Sequence, residues 1–381
     1  MVYIKVQEIN TPKGLRYILL DDEYMVVDEV KRFLKFLDIN GKSPNTLKNY
    51  AYHLKTYYEY MNKNNIPIKD LCNNKEQGPI DILSGFMLYL QYPSIEDKII
   101  PINGEEAVRS DATVNIIMDT VLSFYQYLSK NNELEELDVY KNQRNNTKFK
   151  SFLHELISNK TQMNKSIFKK KVIKKEFEYV TRRQFNELFF ACNSERDRLL
   201  LALLYEGGLR INEALGMHLE DISQLEDNII HIVSRENNEN GARVKNHAEG
   251  IIKVPNYIVD MILDYINNDI LQYDSNFLFL NLRGPTKGTP LKVGSVEDLF
   301  KRLSKKVGYK VHPHMLRHGF ATEKLELGWT LEDISIYLRH KNIQSTQIYA
   351  HYSDMLKTKK IRTFLDVNKL EYGGVLIDSK L

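Results

Sequence analysis

The chain has 381 residues, of which 43% are hydrophobic and 27% charged, with a formal net charge of +3 and two cysteines. That length exceeds one ordinary domain, and that composition is the one of a soluble globular protein, which excludes fibrous, disordered and disulfide-stapled classes. No apolar run is long enough to span a bilayer, the N-terminus MVYIKVQEIN is no signal peptide, and Cys72 and Cys192 stand in no metal-like spacing.

Residues 1–22 read as two short strands, Val2–Val6 and Arg16–Leu20, around the turn Thr11-Pro-Lys-Gly14. A hairpin packed on the next domain and an accessory DNA-binding arm both fit, and the low basic content favours the hairpin. Residues 23–140 read as a helical domain. Asp28 is placed to cap a run with Val30, Phe33, Leu34 and Leu37 on one face, and Ser43-Pro44 starts the next helix with serine as cap. Leu47, Tyr50, Leu54, Tyr57, Tyr58 and Met61 then recur at helical spacing, and Ile82–Tyr92 and Thr113–Leu128 give two more amphipathic helices. The tyrosines are expected in the core and at its rim. Lys42, Ser43, Asn45, Thr46 and Lys48 at a helix start are candidate phosphate contacts, because a helix N-terminus presents free N–H groups to an anion.

Residues 141–178 form a basic linker around a short helix, Phe152–Ile157. From Lys141 to Lys175 nearly every charged residue is Lys or Arg, Glu155 being the lone carboxylate. A solvated linker and one that lies along DNA are both open, and Lys169, Lys170, Lys171, Lys174 and Lys175 are the expected hinge cations.

A second domain, 179–352, starts at Tyr179-Val-Thr-Arg-Arg183, with Thr181 as cap. Asp197–Tyr205 is apolar on nearly all sides, the mark of a buried helix, and ends at Gly207-Gly208. Next come Arg210 and Glu213 at i and i+3, which on their own fit a surface pair. Strands Asn228–Val233 and Gly250–Pro255 flank a polar tip containing Arg235, Arg243 and Lys245. Helix Tyr257–Leu271, a buried strand Phe277–Leu280, a loop Arg283–Pro290 and helix Val296–Lys306 lead to HPHMLRHGFATEKLELGWTLEDISIYLRHKNIQSTQIYAHY. In that stretch His314 and Arg317 share one helix face. His340 follows Leu338-Arg339, and Tyr349 lies on a short helical run from Ile343 to Tyr352. An imidazole, a guanidinium and a phenol that converge suit a reaction at a phosphate. Trp329 is expected in the core. The tail, 353–381, carries an apolar stripe from Ile361 to Leu370 that either folds back or docks in trans.

His314-Met-Leu-Arg317-His318 and Leu338-Arg339-His340…Thr346-Gln347-Ile348-Tyr349 resemble the two C-terminal boxes of the tyrosine recombinase (phage integrase) family, most like the integrases and transposases of mobile elements. Gly208-Leu-Arg210-Ile-Asn-Glu213 resembles its first-arginine box. The chain departs from the family at Arg339, where glycine is usual. The resemblance implies a mainly α fold with a small antiparallel β-sheet. A helical core DNA-binding domain and an α+β integrase-type catalytic domain then form a C-shaped clamp around DNA. It implies the catalytic set Arg210, Lys245, His314, Arg317, His340 and Tyr349. Lys245 is favoured over Arg235, Lys253 and its nearest rival Arg243 because Gly241-Ala-Arg-Val-Lys245-Asn resembles the family's lysine loop. It further implies site-specific DNA recombination through a 3′-phosphotyrosine, with a homotetramer on double-stranded DNA, a monomer when free, and strand exchange through a four-way junction. Accessory proteins that bend DNA or set direction are admitted as further partners. The expected location is the bacterial cytoplasm, nucleoid-associated when bound, with no membrane partner.

The chemistry of these residues points the same way. A phosphodiester resists attack through its charge, so Arg210 and Arg317 are expected to hold the non-bridging oxygens, an electrostatic contribution of about 3–4 kcal/mol per donor in acyl-transfer sites. His340 adds a hydrogen bond, His314 is the expected base for Tyr349, Lys245 the expected acid for the 5′ oxygen, and Glu213 orients Arg210. No acidic cluster suited to Mg²⁺ is evident, so the reaction is expected to need no metal, cofactor or ATP. His318 reads as a supporting or packed residue. His314 and His318 form an H-x-x-x-H pair, but Met315 stands where a zinc peptidase has glutamate. Tyr352 is the fallback nucleophile. Two other functions stay open: a type IB topoisomerase, and a catalytically inert DNA-binding relative.

Overall fold

The computed structural model describes residues 4–12, 14–71, 77–93, 106–137, 139–141, 165–172, 177–341, 345–350, 352–358, 361 and 363. The chain divides into two compact units, 1–174 and 175–381.

In the first unit, β1 (Lys5–Thr11) and β2 (Gly14–Leu20) pair antiparallel from Lys5↔Leu20 to Thr11↔Gly14. The alternation of a strand sends Tyr17 and Leu19 inward, where they join Ile4 in one core with the helices. Four helices follow: α1 (Asp28–Ile39), α2 (Pro44–Lys63), α3 (Pro79–Gln91) and α4 (Asp111–Lys130). Ser43 caps α2 and Ser110 caps α4, each side chain accepting an N–H from the threonine three residues on. Asp28 is not a cap. It is the first helical residue, after a Val27 that makes no side-chain cap bond, and its carboxylate with that of Glu29 lies at the positive end of the helix. Tyr57, Tyr58 and Tyr125 are buried, and the hydroxyls of Tyr57 and Tyr125 lie 2.8 Å apart. A two-residue ladder joins β3 (Tyr140–Lys141) to β4 (Lys165–Ser166), and Val139 and Phe168 join the same core. The expected helix 152–157 lies outside the described residues.

In the second unit, α5 (Arg182–Ala191) opens with a capping box of Thr181 and Gln184. Helix α6 (Glu195–Glu206) buries every residue from Leu199 to Tyr205. The short α7 (Ile211–Leu215) follows, then β5 (Ile229–Ile232) and β6 (Gly250–Lys253), antiparallel from Ile229↔Lys253 to Ile232↔Gly250. Helix α8 (Asn256–Tyr265) runs on into a π-turn at Ile266–Ile270. The run Phe277–Leu280 is buried, but it is not the expected strand. It makes only single bridges, His218↔Phe277 and Leu280↔Pro290, because its backbone pairs with two different loops. Helices α9 (Val293–Val307), α10 (Pro313–Glu326) and α11 (Leu331–Tyr337) complete the fold that carries the site.

Candidate active site

Arg210 reaches the site through the turn that ends α6. Gly208 has φ +58°, and a Cβ there would lie 2.7 Å from Leu338 Cδ2 and 2.9 Å from Phe320 Cδ1. Only glycine allows this approach, and it delivers Arg210 as the residue that caps α7. Arg210 donates its backbone N–H to Glu213 Oε2 at 3.0 Å and Nη1 to Oε1 at 2.6 Å. The Glu213 side chain is fully buried and that of Arg210 is 19% exposed, so this is no surface pair.

Arg317, on α10, is buried. Its Nη1 donates to the Gly208 carbonyl at 2.5 Å and its Nη2 to the Leu338 carbonyl at 2.7 Å, while Glu213 Oε2 lies 3.6 Å from Nη1. These bonds leave guanidinium hydrogens free, because arginine has five. Burial and the charge of Arg210 lower Arg317 to about 9, still cationic at neutral pH. Burial raises Glu213, but the charges of Arg339, Arg317 and Arg210 outweigh it, and the carboxyl is held below its usual range.

Tyr349 lies in a single turn, Gln347–Tyr349, and is 1% exposed. It packs in a cluster with Phe320, Leu325, Ile334 and Leu338, and meets Phe177 edge-on at 5.2 Å. Its hydroxyl lies 2.7 Å from His318 Nδ1. The phenol's partner is therefore His318 and not the expected base His314, which is exposed and stacks on His318 at 5.5 Å. The two histidines are one helical turn apart on α10, a spacing legible in the sequence, but the hydroxyl reaches only the deeper ring. Desolvation pushes Tyr349 up to about 12 against the pull of Arg317 and Arg210. Desolvation, then His314 and Arg317, bring His318 down to about 4, so it is neutral at pH 7 and can accept a hydrogen bond, although the lowered value makes it a weak base. Desolvation and the charges of Arg317, His312, Arg210 and Lys245 also lower His314.

His340 follows the end of α11, its Nδ1 2.8 Å from Thr346 Oγ1. Desolvation with Arg317 and Arg210 push it down to about 3. The tautomer in which Nδ1 accepts from Thr346 leaves Nε2–H as a donor. Lys245 begins a short turn, Lys245–His247, between β5 and β6 and is exposed, as is Arg243, while Ala242 and Val244 are buried between and beside them. Of the competing cations, Arg235 is taken up by Asp221 and Glu220. Tyr352 donates to Glu326, and burial, followed by that carboxylate, raises its pKa. Trp329 is only partly buried, against Phe320 and Tyr337.

Among the DNA-contact candidates, Lys42, Ser43 and Asn45 are exposed at the start of α2, and Thr46 is half-buried. Lys48 lies 3.8 Å from Glu8 of the hairpin. Lys169 and Lys171 are exposed, whereas Lys170 bonds Gln91, lies 3.7 Å from Asp111 and exchanges backbone bonds with Asn115. Lys174 and Lys175 lie outside the described residues.

Residues 178–355 match the phage integrase family. Over 370 residues the chain is 37% identical to transposase A from transposon Tn554 of Staphylococcus aureus, covering 95% of this chain and 98% of that protein. It is 25% identical over 324 residues to the tyrosine recombinase XerA of Thermococcus kodakarensis, covering 84% and 89%. Two solved structures share the fold. The Tn1549 transposon integrase in complex with a circular intermediate DNA has a TM-score of 0.56 at 16% identity, covering 87% of this chain and 99% of that one. The XerH site-specific recombinase bound to a palindromic difH substrate has a TM-score of 0.57 at 19% identity, covering 88% and 84%.

Proposed function

The chain belongs to the phage integrase family of tyrosine recombinases, and from that premise we propose which of its residues cut and reseal DNA. It is a site-specific recombinase that cleaves and rejoins DNA strands and belongs to a mobile element. The Tyr349 hydroxyl attacks the scissile phosphorus and a Tyr349 O–P bond forms. The P–O5′ bond breaks, leaving a 3′-phosphotyrosine. The phenol proton passes to His318 Nδ1, and Lys245 gives a proton to the departing O5′. Arg210, the remaining donors of Arg317, and His340 Nε2 hold the non-bridging oxygens as charge builds on them. The ester keeps the energy of the broken link, so a 5′-hydroxyl can attack it in turn, with return of the proton to the phenolate. His314, stacked outside His318, holds the inner ring in place. In the first unit, Lys42, Ser43, Asn45 and Thr46 meet phosphates at the start of α2. Four copies on two duplexes exchange strands, in the cytoplasm.

The observation that supports this most is the 2.7 Å contact of Tyr349 with a neutral histidine beside two arginines that share one buried carboxylate. A nicked suicide duplex taken from the DNA flanking the gene tests it. The native chain should form a covalent adduct that Tyr349→Phe abolishes and Tyr352→Phe does not. Four-way junctions from two labelled duplexes separate recombination from topoisomerase-like relaxation. An adduct that survives Tyr349→Phe overturns the assignment.

A further inference from the structure

Position 339 takes a conformation that suits glycine and yet holds arginine. Helix α11 ends in a Schellman motif, with His340 N–H donating to the Ser335 carbonyl at 2.9 Å and Arg339 N–H to that of Ile336 at 3.0 Å. Arg339 is the left-handed residue of that motif, at φ +54°. A side chain there costs about 1 kcal/mol or more, so other contacts must hold it.

One of those contacts leads into the site. Arg339 Nη2 donates to Glu213 Oε2 at 2.8 Å, and Nη1 to the Tyr337 carbonyl at 3.0 Å. Its side chain is 6% exposed. Gly250, the first residue of β6, makes room for the stem: a Cβ there would lie 3.0 Å from Arg339 Cδ. Glu213 thus carries three guanidiniums. Oε1 takes Arg210 and Oε2 takes Arg339, while Arg317 stays 3.6 Å away and bonds two carbonyls instead. Without Arg339, Oε2 would be left to Arg317 and to the N–H of Arg210, and a buried carboxylate short of partners pulls in the nearest cation.

We propose that Arg339 is a positioning residue for strand cleavage: by taking Glu213 Oε2 it fixes the carboxylate on Arg210 and keeps Arg317 free to meet the phosphate. This rests on the cleavage chemistry proposed above. Arg339 also adds a positive charge to the cluster, while its own guanidinium is taken up by Glu213 and the Tyr337 carbonyl. Its charge helps those of Arg317 and Arg210 to hold Glu213 ionised.

The test uses the full chain with Arg339→Gly, which removes the guanidinium and relieves the backbone, and Arg339→Lys, which keeps the charge. Single-turnover cleavage of nicked suicide duplexes, tiled across the DNA flanking the gene, is followed against pH. Arg339→Gly should slow cleavage at saturating DNA by about 10²-fold, the cost of a small misplacement at a reacting centre. The half-saturating DNA concentration should change by less than about twofold. The acid limb should move to higher pH as Glu213 becomes easier to protonate, and Arg339→Lys should restore part of both. Carbon NMR of the Glu213 carboxyl, assigned with Glu213→Gln, should show the same upward move in the absence of DNA. A Gly variant that cleaves at the native rate with an unmoved acid limb overturns this role alone. A native chain that forms no adduct overturns the cleavage chemistry and this role with it.

Discussion

The hydroxyl of Tyr349 and Nδ1 of His318 lie 2.7 Å apart. Replacing Tyr349 by Phe keeps the ring in its pocket and removes only this bond, a loss of about 1 kcal/mol. Replacing it by Ala also empties part of the cluster around Phe320 and Leu338 and should cost about 3–5 kcal/mol. Chemical denaturation of the two variants checks the difference, and neither should form an adduct with DNA.

His318 and His340 have folded values of about 4 and about 3, below the ordinary histidine value of 6.5. Between those limits the unfolded chain binds more protons than the folded one. Stability should therefore be level above pH 6.5 and fall as the pH drops through the window towards 3. His318→Gln and His340→Gln should each flatten that fall, as read from denaturation midpoints at stepped pH.

Lys245 and Arg243 are both exposed on the same loop. If Lys245 protonates the leaving oxygen, Lys245→Ala should slow cleavage by about 10²–10⁴-fold. A substrate with sulfur at the 5′ bridging position should recover most of that rate, because a thiolate leaves without a proton. Arg243→Ala should show no such recovery.

Gly208→Ala puts a methyl into Leu338 and Phe320 at a left-handed position. The cost should be at least about 1 kcal/mol in stability. Since Arg317 bonds the Gly208 carbonyl, cleavage should fall more than the stability loss explains, as shown by kinetics at a temperature where the variant is fully folded.

Lys169 and Lys171 are exposed, whereas Lys170 is held by Gln91 and Asp111. Changing Lys169 and Lys171 to Gln should reduce the salt slope of DNA binding by about 0.9 for each phosphate that is no longer neutralised. Lys170→Gln should leave the slope unchanged and lower the stability of the first unit.

The sequence carried the helices well where caps and apolar stripes agreed, as at Ser43 and Thr181. It misread Phe277–Leu280, because an apolar run reports burial but does not say whether the backbone finds a ladder partner. At the site, Arg210, Glu213 and Arg317 lie in motifs with their own local signals. The pairing of Tyr349 with His318 was not legible, because it depends on how far a turn from the end of the chain reaches across α10. The side chain of Arg339 was not legible either: its residue type conflicts with its backbone, and the conflict is resolved by Glu213, 126 positions away.

The burial of Tyr349 has a consequence for how this enzyme behaves among the many duplexes it meets. A phenol that is 1% exposed offers nothing to a passing phosphate. If Tyr349 is the nucleophile, chance encounters should leave bystander DNA unbroken, and cleavage should wait for a rearrangement that opens a path to the hydroxyl where it sits beside His318. On that reading the fold of the catalytic unit is its own safety catch.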